Sequence, residues 1–338
     1  MPLHFVQDPS RRALLRWLPA SAACAVAPAW SHVSAAGDLP APALSSYRFL
    51  VGFGAGGVPD AAARLIAATI SERWKLPAVV ENKTGVGGTL AAKAVLAAPA
   101  DGSTLLSVSP AHATAPAVFS NPGYDTLRDF APVTLIGDGP ALIVAPKSLP
   151  AGNLAEMVAR AKARPGSLSY SSAGVGSSSH FAAALFCQQA GIEAVNIPYK
   201  SVGEAMTETI AGRVQFHIAP YVSAVGMVKE GRVRVLAVTG SRRIADMPEV
   251  PTVAEAGVPG YEWSFWYGLL ASAKTPAPVL AQLSKDIAGI LRLPEVKRQL
   301  ETMGVAVAAG TPAEFQKLIE AEVSKYARIA KAAHIAPQ

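Results

Sequence analysis

Short apolar runs alternate with amphipathic stretches along most of this chain, and the alternation predicts strands and helices in turn. Residues 47–53 carry a strand pattern, 60–74 a helical one, 78–81 a short strand and 88–97 a second helix. Strands follow at 103–108 and 141–145, a helix at 154–163 and a strand at 168–171. A loop at 174–179 leads into a helix at about 180–190, then a strand at 194–197, a helix at 201–211 and strands at 214–218 and 233–238. The tail alternates less and ends in helices near 278–291 and 313–333. Strands separated by helices with short loops mean an α/β protein with mostly parallel sheet.

The first three dozen residues break this pattern. Arg11 and Arg12 precede an Ala-rich apolar stretch, interrupted by Arg16 and Pro19, and small residues follow in Ala27-Pro28-Ala29 and Val33-Ser34-Ala35-Ala36. A basic start, a short apolar middle and an A-x-A-like cut are the layout of a cleavable signal peptide over 1–36. Paired arginines in Ser10-Arg11-Arg12 keep a twin-arginine route open beside the general one. Cys24 lies in the leader and Cys187 in an apolar helical run, so the exported chain has no internal disulfide.

Composition then narrows the class. With 51% apolar and 16% charged residues, the remaining three hundred or so can bury a large core, enough for two lobes. Arg11, Arg12 and Arg16 against Asp8 place +2 of the net +6 in the leader, leaving +4 on scattered side chains. Nucleic acid is not expected as a partner, because no basic run alternates with aromatics.

Candidate chemistry centres on two glycine-rich loops. Gly52-Phe53-Gly54-Ala55-Gly56-Gly57 joins a strand to a helix with the spacing G-x-G-x-x-G. Such a turn aims backbone N–H groups at an anion with a helix dipole behind them. Glu81, some two dozen residues on, stands near where an acid would bind a ribose, so an NAD(P)-dependent oxidoreductase using Gly52, Gly54 and Gly57 is one reading. A second loop, Ser172-Ala173-Gly174-Val175-Gly176-Ser177-Ser178-Ser179-His180, repeats the strand–loop–helix arrangement with added hydroxyls. Two facing loops suit a small carboxylate held in a cleft; one dinucleotide needs only one loop. Pro59-Asp60 also comes where the dinucleotide helix should be under way.

Patterns for catalysis are missing. Gly176 precedes Ser177 where a G-x-S-x-G elbow needs the serine itself, and the sequence has neither H-E-x-x-H nor a Cys/His ligand pair. Neither metal nor cofactor is expected, and the chain is read as a non-enzyme. Several candidates also have ordinary readings: Asp60 with Arg64 as an i, i+4 pair, His180 as a cap, and Phe265-Trp266-Tyr267 as core with one ring walling a pocket.

A series of motifs sharpens this. Gly56-Gly57-Val58-Pro59-Asp60 with Arg64, Val80-Glu81-Asn82-Lys83, Asp101-Gly102-Ser103-Thr104-Leu105, Tyr124-Asp125, Ser172-Ala173-Gly174, Pro198-Tyr199-Lys200 and Pro251-Thr252-Val253-Ala254-Glu255-Ala256-Gly257 occur in order. Over roughly residues 46–335 the chain resembles the substrate-binding receptors of tripartite tricarboxylate transporters, the Bug family. The resemblance implies a periplasmic, two-lobed Venus-flytrap receptor of type II, each lobe a sheet flanked by helices, with two chain crossings. Lobe one would combine 37–140 with 239–338, and lobe two would be 141–238. It implies a small organic acid as ligand and integral membrane permease subunits as partners; the receptor is expected to be a monomer. Carried over to this chain, the ligand-binding set is Phe53, Gly54, Ala55, Gly56, Gly57, Asp60, Ser109, His112, Gly174, Gly176, Ser177, Ser178, Ser179, His180, Tyr199 and Gln215. Lys200 would meet a second carboxylate. Gln215 stands where the family commonly has an acid, so an organic acid lacking an amino group is expected.

Overall fold

The computed structural model describes residues 44–335 and 337; the signal peptide expected over 1–36 lies outside them. Chain order opens with β1 (Tyr47–Val51), α1 (Val58–Trp74), β2 (Ala78–Asn82), α2 (Thr89–Ala97), β3 (Thr104–Val108), α3 (Pro110–Val118) and the long β4 (Phe130–Pro146). Then come α4 (Leu154–Ala163), β5 (Leu168–Ser172), α5 (Ser178–Ala190), β6 (Ala194–Pro198), α6 (Val202–Ile210), β7 (Phe216–Pro220), α7 (Tyr221–Lys229) and β8 (Val233–Val238). The chain closes with β9 (Ser264–Ser272), α8 (Ala277–Leu291), α9 (Pro294–Thr302), β10 (Ala306–Gly310) and α10 (Pro312–Ala332).

The strands make two sheets that share β4. In the first the order is β2-β1-β3-β9-β4, with β10 also on β4; in the second it is β4-β7-β5-β6, with β8 also on β4. Pro140 is the last β4 residue paired with β9 and Ala141 the first paired with β7. The chain passes back beside this point: Thr239 N–H donates to the Ala141 carbonyl at 2.9 Å, and Trp263 N–H to the Thr239 carbonyl at 2.9 Å. The Thr239 hydroxyl donates to the Trp263 carbonyl at 2.8 Å and accepts from Ala141 N–H at 2.9 Å, so the two passages are laced together in the interior.

The α/β class agrees with the sequence reading, but the sheets are mixed instead of mostly parallel. Parallel pairing between the strands joins β1 to β2 and β3, and β5 to β6 and β7. One continuous strand serving both sheets runs against its neighbours in each, and β9 runs against both β3 and β4. A further difference lies at 110–140, where the sequence pattern showed no element but α3 and the first part of β4 are present. Pro110 and Pro116 disguise α3 as loop. Gly137 and Gly139 interrupt the strand pattern because β10 and the residues just before it crowd them: a Cβ on either would lie 2.1 Å from a carbonyl oxygen, of Ala306 and Gly304 respectively.

Among the largest fully buried side chains are Phe49, Phe181, Phe186, Phe216, Trp263, Phe315 and Tyr326. The α10 ring of Tyr326 meets Phe181 of α5 and Trp263, each with centroids 5.5 Å apart, which fastens the last helix to both the middle and the end of the chain.

Candidate functional site

Five strands lead into helices at one place. The residues that cap the amino ends of α1, α3, α5, α6 and α7 are Gly57, Ser109, Ser177, Ser201 and Pro220, and all five line a single cavity of about 510 Å³. Each helix start carries roughly half a positive charge and N–H groups without intrahelical partners. The cavity therefore lies beyond the carboxyl ends of β1, β3, β5, β6 and β7, the ordinary position of a ligand in open α/β sheets. Its charged side chains are Lys200 and Arg232, and among the described residues no acid lines it.

On the first loop, residues 53–57 line the cavity. Asp60 is 3% exposed and turned to the back of the loop, where its carboxylate accepts from Gly56 N–H at 3.0 Å, Asn82 Nδ2 at 2.9 Å and Arg64 Nε at 3.0 Å. Asn82 Nδ2 also donates to the Phe53 carbonyl at 2.9 Å. Burial pushes the Asp60 carboxyl up, and the bonds from Arg64, Gly56 and Asn82 outweigh it, leaving the group below its ordinary value. Thus Asp60 shapes the loop from outside the lining. With α1 lacking a side-chain cap, the N–H groups of Gly54, Ala55, Gly57 and Val58 meet no protein acceptor among the described residues.

On the second loop, Ser177, Ser178 and Ser179 line the cavity with Ala173, and α5 begins two residues before His180. Ser177 Oγ accepts from His180 N–H at 3.3 Å, and Ser179 Oγ accepts from Ala173 N–H at 3.0 Å. His180 Nδ1 accepts from Gly176 N–H at 3.2 Å, so the imidazole fastens the loop from behind and does not line the cavity. Burial pushes it down to about 4, keeping it neutral and able to accept. Gly174 and Gly176, with φ of +110° and +81°, turn the chain without lining the cavity. Thr114 Oγ1 donates to the Gly176 carbonyl at 2.6 Å and ties α3 to this loop. The hydroxyls of Ser109 and Ser178 bond to no protein atom among the described residues and are free to meet a bound group.

Three other sequence-predicted residues lie elsewhere. His112 is buried beside Tyr124 and Phe130, with centroids 6.0 and 5.0 Å away, and burial pushes its imidazole down to about 4. Tyr199 lies outside the lining; its N–H donates to the Ser172 carbonyl at 2.9 Å, while the next residue, Lys200, reaches the cavity. Gln215 Oε1 accepts from Ser169 N–H at 2.8 Å and Ser169 Oγ at 3.0 Å, on the far side of β5 from the lining. Its carboxamide oxygen is taken up by Ser169 and the residue is not part of the lining, so it does not meet a ligand amine in the cavity.

Sequence reasoning missed the opposite wall. From α6 come Val202, Met206, Thr207 and Ile210, and from α7 Ser223 and Met227. Their i, i+4 spacing was available as a signal, but a stripe of that kind reads equally as core. Phe265 and Tyr267 of β9 also line the cavity, while Trp266 points to the other sheet face and donates from Nε1 to Glu322 at 3.3 Å, as strand alternation requires.

The dinucleotide reading is unsupported. Glu81 is held by Arg48 through two contacts of 2.8 Å, and Gly52 is glycine because a Cβ there would lie 2.6 Å from the Gly88 Cα. Two α/β sheets sharing a strand, with helix starts gathered on a cavity, define the fold of a periplasmic solute-binding protein. The family model of the tripartite tricarboxylate transporter family receptor matches residues 62–335, and the chain belongs to that family. It is 34% identical over 282 residues to a UPF0065 protein in the tcbD-tcbE intergenic region of Pseudomonas sp. strain P51, covering 83% of this chain and 84% of that one. Among solved structures it resembles R. palustris Rpa4515 with adipate, with a TM-score of 0.81, 34% identity and coverage of 87% of this chain and 98% of that one. It also resembles MatC from Rhodopseudomonas palustris with bound malate, with a TM-score of 0.78, 31% identity and coverage of 84% and 98%.

Proposed function

We propose that this protein is an exported receptor that captures a small organic acid in the cavity and delivers it to integral membrane permease subunits of a tripartite tricarboxylate-type transporter. The observation that carries the reading is the gathering of five helix amino ends on one cavity that, among the described residues, no acid lines. Free N–H groups on the first loop and free hydroxyls at Ser109 and Ser178 can take carboxylate oxygens with no bond made or broken in the ligand. The ligand-binding set comprises residues 53–57, Ser109 and Ser177–Ser179, with Asp60, Gly174, Gly176 and His180 shaping the loops. Family membership and two solved relatives holding adipate and malate support a carboxylate ligand.

In this reading residues 37–140 and 239–338 form one lobe and 141–238 the other, hinged where β4 and Thr239 pass between the sheets. A ligand touching both loops binds the closed form best and shifts the equilibrium toward it by the difference in affinity. The permease reads the closed form. Among the described residues no helix is long and apolar enough to cross a membrane, which fits a receptor that meets its permease as a separate partner in the periplasm.

The test is a thermal-shift screen of organic acids against NAD⁺ and NADH on the purified chain. A ligand at a hundred times its dissociation constant stabilises the folded state by about 2.7 kcal/mol, a clear rise in Tm. A shift with NAD⁺ and with none of the acids would overturn the receptor reading. Fractionation of cells, with sequencing of the mature amino terminus, tests export.

A further inference from the structure

We infer that the ligand is an organic acid with a single carboxylate on a bulky apolar body, an aromatic or medium-chain monocarboxylate, bound in preference to a short diacid. This rests on the receptor reading and adds the substrate class. The cavity has two unlike ends. Helices α6 and α7 both start at it and continue alongside it, so residues one and two turns on from their starts still line it. From Val202 to Ile210 this wall extends about 12 Å at the helical rise. It is built from Val202, Met206, Ile210 and Met227, the last reached one turn beyond Ser223.

A second carboxylate would gain little there. Among the described residues of this wall Thr207 and Ser223 carry hydroxyls, the former already donating to the Gly203 carbonyl at 3.0 Å, and Arg232 has Glu230 at 3.5 Å and its Nη1 at 3.2 Å from the Met227 sulfur. Lys200 is exposed just before the α6 start, so it belongs with the carboxylate end. Seating an anion against methionine and isoleucine strips its water without returning bonds, whereas hydrocarbon seated there gains roughly fourfold in affinity per buried methylene. Methionines suit such a wall, since their flexible thioethers fit flat rings and chains alike.

The experiment is calorimetry of the mature chain with 3-phenylpropionate and octanoate against malate and adipate. At least tenfold tighter binding of an apolar-bodied acid, with a negative heat-capacity change, is expected. Met227→Gln, at a half-buried position that tolerates polarity, should cut the ratio of affinities for that acid over malate at least fivefold. Malate or adipate binding as tightly as the apolar-bodied acids, or a Met227→Gln variant that keeps the wild-type ratio, overturns this inference and leaves the receptor reading standing. Failure of all four acids to bind, in a chain that melts cooperatively, overturns both.

Discussion

The loop at 53–57 is fastened by a carboxylate, and the loop at 174–179 by hydroxyls and an imidazole. In the first, Asp60 reaches back under the glycines and is itself held by Arg64 and Asn82. In the second, Ser177, Ser179 and His180 take up the N–H groups of His180, Ala173 and Gly176. Both leave helix starts facing one cavity, so equivalent openings onto a ligand are obtained with a charged group behind one and neutral groups behind the other. The difference teaches where each is vulnerable: a buried charge fails when its partners go, a neutral imidazole when it gains a proton.

Acid separates the two most strongly. His112, His180 and His217 are pushed down to about 4 by burial, against an ordinary value of 6.5. Between about 4 and 6.5 the folded chain binds fewer protons at these sites than the unfolded one, so stability falls as pH drops through that window and is flat above it. Asp60, held below its ordinary 3.8, remains charged throughout. Calorimetric unfolding should lose several kcal/mol from pH 6.5 to 4. His180→Gln, which cannot titrate, should remove about a third of that loss, and if the second loop is not the acid-sensitive one the loss will be unchanged.

Next in size is Gly52→Ala. Its Cβ would strike backbone at Gly88, and about 3 kcal/mol of destabilisation is expected in urea unfolding. Gly54→Ala, two residues on, has nothing within 4 Å of the added carbon and should stay within about 0.5 kcal/mol of wild type. A similar cost at both positions would show that the first loop is closed down by packing, contrary to its open face.

The strand–loop–helix units were legible in the sequence because apolar period and punctuation agree there, as at β1–α1 and β5–α5. What stayed hidden depends on partners distant in the chain. Nothing near Gly137 announces that β10 will press on it, and Pro116 argues locally against a helix that tertiary packing sustains. The site was half legible for a related reason. Glycines and serines at a helix start must present their backbone, so residues 53–57 and Ser177–Ser179 could be placed on the lining. Asp60, His180 and Gln215 have side chains long enough to turn either way, and each turns toward backbone. The wall of Met206, Ile210 and Met227 looked like core because apolar spacing cannot distinguish a protein neighbour from a ligand.

The remaining predictions compare the fastenings directly. Asp60→Asn keeps the shape but presents an amide N–H to donors at Asn82 and Arg64, and should cost about 2 kcal/mol in urea unfolding while weakening organic-acid binding. Ser177→Ala removes only a neutral cap that accepts from His180 N–H at 3.3 Å and meets Ser179 Oγ at 3.2 Å. It should cost about 1 kcal/mol, and Ser177→Gly a few tenths, since glycine leaves the freed N–H accessible. The order matters more than either size. If Ser177→Ala proves costlier than Asp60→Asn, the hydroxyl network is the stiffer fastening, and the buried carboxylate is spending on its own desolvation most of what its three donors return.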